Sequence, residues 1–182
     1  MKINLGNYQN SWYYPGASKI KIFCWMLISA IIFRISIPFP NFMKVQILRF
    51  FGAKIESGVV IKPSVNIKYP WNLIIGKNSW VGEGVWIDNL SHVYIGDNCC
   101  ISQGVYLLTG NHDYTSSSFD LIVSDIKIEN EAWLGAKSII CPGVTAKKGS
   151  VLSVGSITSS DLDSFTIYRG NPAKKIKERK IQ

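Results

Sequence analysis

The chain has 182 residues, 47% of them hydrophobic, and a formal net charge of +8, which suits one compact domain with an appendage. The charge is uneven: residues 1–55 carry seven Lys or Arg and no acid, residues 56–164 a net of −4, and residues 165–182 a net of +5. The basic residues form no stripe interleaved with aromatics, which excludes a nucleic-acid groove, and four cysteines without a CxxC pair exclude a disulfide framework or a zinc site.

In chain order, the first element is an apolar run over 22–33, Ile-Phe-Cys-Trp-Met-Leu-Ile-Ser-Ala-Ile-Ile-Phe, flanked by Lys19, Lys21 and Arg34. It is shorter than the roughly 20 residues of a spanning helix, and no small-residue cleavage site follows it. Pro38 and Pro40 end it. Asn41 is placed to cap a second helix with Phe42, Val45, Leu48 and Phe51 on one face and Gly52 at its end. Two readings of this segment stay open. The helices cover the open strand edge of the domain that follows, or the first lies in a membrane interface over residues 19–37, its cations near anionic headgroups. Reduced thiols place the chain in the cytoplasm. The second reading puts it at the inner face of the cytoplasmic membrane.

From Ile55 an aliphatic residue returns every six positions: Ile55, Ile61, Ile67, then Ile75, Val81, Ile87, then Ile95, Ile101, Leu107. After a break the beat resumes at Ile128, Leu134, Ile140, Ala146, Leu152 and Thr158. Residues two apart on a strand face the same side, so Val59, Val65, Val85, Cys99, Val105, Ala132 and Ser138, each two before a beat, also point inward. Turn formers such as Gly76-Lys77-Asn78 and Gly96-Asp97-Asn98 fall between. Six is not a multiple of 3.6, which excludes helices, and a β-sandwich would not hold one phase. The period predicts an all-β solenoid, a parallel β-helix in which each short strand stacks on the coil below.

The break holds Gly110-Asn111-His112-Asp113-Tyr114. With it, Val85-Trp86-Ile87-Asp88-Asn89-Leu90, Ala132-Trp133-Leu134-Gly135-Ala136, Pro142-Gly143-Val144 and Gly170-Asn171-Pro172-Ala173-Lys174-Lys175-Ile176 make the chain resemble the hexapeptide-repeat acyltransferases. Within that family the chain resembles the O-acetyltransferases of colanic-acid and capsule biosynthesis. The resemblance implies a left-handed β-helix of about five coils, about 24 Å tall at about 4.8 Å per coil. It divides the chain into an N-terminal helical segment (1–52), the β-helix (53–164) with a loop over 108–126, and a basic tail (165–182). In the tail, Asn171 and Pro172 read as the entry to a short helix.

The resemblance also implies a homotrimer that binds acetyl-CoA between neighbouring prisms, with no metal. The activity implied is O-acetylation of a sugar, lipid-linked or nucleotide-linked, in exopolysaccharide, capsule or O-antigen biosynthesis. Acetyl transfer to a hydroxyl needs a base, and His112 matches the catalytic histidine of the galactoside and maltose acetyltransferases. An acceptor at its other ring nitrogen would hold it; Asp113, Asp88, Glu83 or a backbone carbonyl can serve. Acceptor contacts fall to Glu83, Asp88, Asn89, Asn111 and Asp113. Gly82 stands where the galactoside enzymes hold an asparagine, so Asp88-Asn89 is the expected substitute. Acetyl-CoA falls to Trp133, Gly135, Ala136, Val154 and Gly155, with Lys174 and Lys177 near its 3′-phosphate. An N-acyltransferase acting on an amino sugar and a non-catalytic trimeric scaffold are the alternatives. Two histidines are too few for the three-histidine metal site found on related scaffolds.

Overall fold

The structure, a computed structural model, describes residues 2–181. Short parallel strands stack into three sheets, the faces of a prism. The first face holds Lys54–Ile55, Leu73–Ile75, Val93–Ile95, Ile126–Ile128 and Thr145–Ala146. The second holds Val60–Ile61, Trp80–Val81, Cys100–Ile101, Trp133–Leu134, Val151–Leu152 and Thr166–Gly170. The third holds Asn66–Ile67, Trp86–Asp88, Tyr106–Leu108, Ile139–Ile140 and Ile157–Thr158.

The six-residue beat is the register of these sheets. Ile55, Ile75, Ile95, Ile128 and Ala146 lie one above another. So do Ile61, Val81, Ile101, Leu134 and Leu152, and Ile67, Ile87, Leu107, Ile140 and Thr158. All fifteen are buried, as are Val59, Val65, Val85, Cys99 and Val105. Each buried Ile, Leu or Val contributes roughly 1.5–3 kcal/mol against exposure, and the shared phase lets all of them count toward one core. Five coils are complete. A partial sixth follows, in which Leu162 bridges Ala146 and Thr166–Gly170 lies on Val151–Leu152.

Each end of the stack is covered differently. At the start, α1 (Lys19–Ile28) begins at Ser18, whose hydroxyl accepts from Lys21 N, and continues into a π-helical turn, Ser29–Phe33. Trp25 is buried, packs 5.2 Å from both Phe33 and Phe51, and donates its Nε1–H to Ile67 O. α2 (Asn41–Phe50) covers the open edge of the first coil. Asn41 does not cap it: its amide accepts from Ile61 N at 2.7 Å and donates to Val59 O at 2.8 Å. Lys44 Nζ bonds Ile61 O, and Arg49 donates to Ile55 O. These bonds satisfy strand-edge groups that would otherwise recruit another chain. Val45, Leu48 and Phe51 are buried as the pattern requires, but Phe42 is exposed.

At the far end the expected tail helix is absent. Ala173–Glu178 is a strand that turns back at Asn171-Pro172 and pairs antiparallel with Thr166–Gly170. The last coil offers an unpaired edge, and pairing with it outweighs the local helix signal.

Candidate active site

The candidate site residues fall on two parts of the prism. The first is the hairpin of Gly110–His112 and Leu121–Val123, which leaves the third face after Leu108 and re-enters the first face at Ile126. Asp113 builds its turn: Oδ1 accepts from Thr115 N at 2.9 Å and Thr115 Oγ1 at 2.6 Å. The Thr115 hydroxyl in particular holds the Asp113 carboxyl below the usual carboxylate range. Asp113 N donates to Asp120 O across the turn.

The turn brings Phe119 back over His112. His112 Nδ1 lies 2.9 Å from Phe119 O, and the two rings stack 4.5 Å apart at 10°. A carbonyl only accepts, so in the neutral ring Nδ1 carries the proton and Nε2 the lone pair. Among the described residues Nε2 has no hydrogen-bond partner. Of the four acceptors open from sequence, the backbone carbonyl is the one used. Asp113 is committed to the turn, and neither Asp88 nor Glu83 bonds the imidazole.

Asp88 stands at the root of the hairpin, paired in register with Leu108. Its carboxylate lies 2.9 Å from Lys68 Nζ and accepts from Tyr106 OH at 3.3 Å. Burial, and then the Asp88 charge, pushes the Tyr106 phenol up to about 12. Tyr106 stacks on Trp86, centroids 4.7 Å apart. Asn89 does not share this setting. It is fully buried, its amide accepts from Tyr69 N and donates to Tyr69 O, and it holds the turn Pro70–Asn72 in place. It has no surface to offer a ligand, which corrects the expected acceptor contact. Asn111 is exposed, and its side chain accepts from His112 N.

An N-terminal arm that the sequence reading passed over completes this part. Asn4 N donates to Ser117 O, the Tyr8 ring lies 5.7 Å from the His112 ring, and Tyr13 OH donates to Leu90 O at 2.8 Å. Burial, with Tyr69 and Asp88 nearby, raises the Tyr13 phenol above its ordinary value. The clustering of Tyr8, Trp12, Tyr13 and Tyr14 in a polar stretch was the available signal. His92 is elsewhere: it donates its backbone N–H to Asp125 and stacks on Tyr94, on the first-face side.

The second part lies on the second face. Trp133 is exposed and donates Nε1–H to Ser102 Oγ at 2.9 Å. With Trp80, Gly82, Glu83, Gln103 and Lys62 it lines an open groove of about 600 Å³. Glu83 therefore belongs to this groove and not to the hairpin. Backbone bonds Gly104 N to Glu83 O, Lys137 N to Gln103 O and Gly155 N to Ala136 O stack Glu83, Gln103, Ala136 and Val154 in one corner column. A Cβ on Gly135 would stand 2.5 Å from Val154 N, and one on Gly82 2.7 Å from Gln103 N. Only glycine lets these coils close.

The tail hairpin extends the same face. Lys177 pairs with Ile167 and Lys174 with Arg169, with a register shift between Ile167 and Tyr168. Partners across a ladder share a face, so the bulge puts Lys174, Lys177 and Arg169 on one outward side. The seven residues read from sequence as acetyl-CoA contacts thus all lie on the second face or its edge. Among the described residues no hydrogen bond or ring contact joins them to His112.

Residues 72–109 match the family described as the hexapeptide repeat of succinyl-transferase. The chain belongs to the hexapeptide-repeat acetyltransferases, and its solenoid is the left-handed β-helix of that family. It is 39% identical over 166 residues, 91% of each chain, to WcaF of Escherichia coli, named for an acetyltransferase role in colanic acid biosynthesis. It is 29% identical over 136 residues to the galactoside O-acetyltransferase of Escherichia coli, covering 73% of this chain and 67% of that one. A hexapeptide-repeat acetyltransferase of Vibrio cholerae, solved with acetyl coenzyme A, superposes with a TM-score of 0.82 at 19% identity, covering 92% of this chain and 93% of that one.

Proposed function

We propose that this acetyltransferase moves the acetyl group of acetyl-CoA to a sugar hydroxyl in exopolysaccharide, capsule or O-antigen biosynthesis, with His112 as general base. The observation that carries the reading is the pinned imidazole: Nδ1–H is held by the Phe119 carbonyl, and Nε2 is left to face an acceptor. The acceptor hydroxyl gives its proton to Nε2 as its oxygen attacks the thioester carbonyl. The tetrahedral intermediate collapses, the C–S bond breaks, and the imidazolium returns the proton to the departing sulfur. The Phe119 carbonyl stabilises the imidazolium between the two transfers. Transfer is direct, in a ternary complex, without an acyl-enzyme.

Acetyl-CoA lies along the second face. Its pantetheine passes Trp133, Gly135, Ala136, Val154 and Gly155, and its 3′-phosphate meets Lys174 and Lys177. The hairpin and this face occupy separate parts of one prism. A homotrimer, in which the hairpin of one protomer reaches the groove of its neighbour, brings them together. Asp88 and Asn111 contact the acceptor at the hairpin root.

The test is to offer acetyl-labelled acetyl-CoA with lipid-linked and with nucleotide-linked glycans. Label on one glycan class, released by mild base as an ester, supports the reading. Base-stable label would make it an amide and the enzyme an N-acyltransferase. No label on any glycan, with acetyl-CoA bound, would overturn the sugar assignment.

A further inference from the structure

α1 and the π-helical turn that continues it meet the protein with one side only. Trp25, Ser29 and Phe33 are buried against the end of the solenoid. On the opposite side Ile20, Phe23, Leu27 and Ile31 recur at intervals of three and four, and they are 77%, 60%, 51% and 68% exposed. Such spacing is one helix stripe, and here it is apolar from end to end. Leaving four large side chains half or more in water costs free energy that a soluble surface avoids.

Charge says what covers the stripe. Residues 1–55 hold seven cations and no carboxylate. Lys19 and Arg34 stand at the two ends of the stripe, exposed, and neither forms an ion pair among the described residues. Trp12 and Tyr14, just before the helix, are exposed aromatics of the kind that settle at headgroup level. No described helix is long and apolar enough to cross a membrane. Pairing this patch with its copy on another chain would set cations against cations with no acid to meet them.

We infer that the exposed stripe of α1 docks the protein on an anionic lipid surface, the helix lying in the interface plane and its side chains reaching about 5–10 Å into the headgroup boundary. This docking stands apart from the acetyl-transfer reading, since it uses none of the residues assigned to the reaction.

The test uses the full chain and sedimentation with vesicles of phosphatidylcholine alone or containing phosphatidylglycerol. Partitioning should be at least about 10-fold stronger on the anionic vesicles and should weaken at high salt. The double change Phe23→Ser and Leu27→Ser should lower it about 10-fold while the particle mass in solution stays the same. Lys19→Gln with Arg34→Gln should lower it only on the anionic vesicles. Failure of the unmodified protein to bind either vesicle would overturn the proposal without reference to any variant. So would a fall in particle mass in the serine variant, which would show that another copy of the chain covers the stripe.

Discussion

The second face and the His112 hairpin are held by different forces. On the second face Trp133–Leu134 is locked by a strand on either side, Cys100–Ile101 and Val151–Leu152, and the close approach at Gly135 leaves no room for a methyl group. The hairpin has one two-strand pairing, an Asp113–Thr115 turn and contacts from the N-terminal arm. The face proposed to hold acetyl-CoA is thus built from the same bonds that hold the fold, whereas the hairpin proposed to carry the base rests on local contacts. Substitutions should separate the two: changes at the close-packed glycines of the second face reach stability, and changes in the hairpin reach rate.

The largest effect should come from His112→Ala, which lowers kcat by about 10²–10⁴ with the KM for acetyl-CoA unchanged, measured by steady-state kinetics. Activity that survives would move the base elsewhere. Gly135→Ala should cost about 2–4 kcal/mol in denaturant unfolding, because its Cβ meets backbone that cannot yield. Asp113→Ala, by contrast, should leave the unfolding midpoint nearly in place and lower kcat.

Mixing protomers sharpens the comparison further. Assayed at acetyl-CoA well below its KM, His112→Ala protomers reassembled one to one with protomers carrying Trp133→Ala, Lys174→Ala and Lys177→Ala should recover about a quarter of the unmodified activity if hairpin and groove come from different chains of a trimer. Recovery should be nil if both come from one chain. Lys174→Ala with Lys177→Ala should raise the KM for acetyl-CoA about 10-fold and leave that for dephospho-acetyl-CoA alone. Tyr8→Ala should have the smallest effect, about 3–10-fold in kcat/KM for the acceptor, without change in acetyl-CoA affinity.

How much was legible follows from locality. Ile61, Val81, Ile101, Leu134 and Leu152 announce their stacking because a coil is a fixed number of strand and corner residues, so spatial neighbours keep a constant separation along the chain. His112 stands out in the sequence as the one imidazole in the interruption of that beat, and Lys174 and Lys177 through the motif around Pro172. The partner of His112 was not, because any of three carboxylates or a carbonyl suits an imidazole. The choice of Phe119 O depends on how seven residues of turn fold back. Asn89 misled for a related reason: an amide next to Asp88 looks available until burial shows it bonded to Tyr69.

The sequence by itself determined the solenoid, its phase, its core and the break that carries the His112 imidazole, since strand alternation and the length of a coil are local properties of the chain. Only the tertiary structure decided which groups flank that imidazole, that the tail is a strand, and that one side of α1 is left uncovered. Each of these depends on which edge or surface is still unpaired once the coils have stacked, and that is a property of the assembled prism and not of any segment within it.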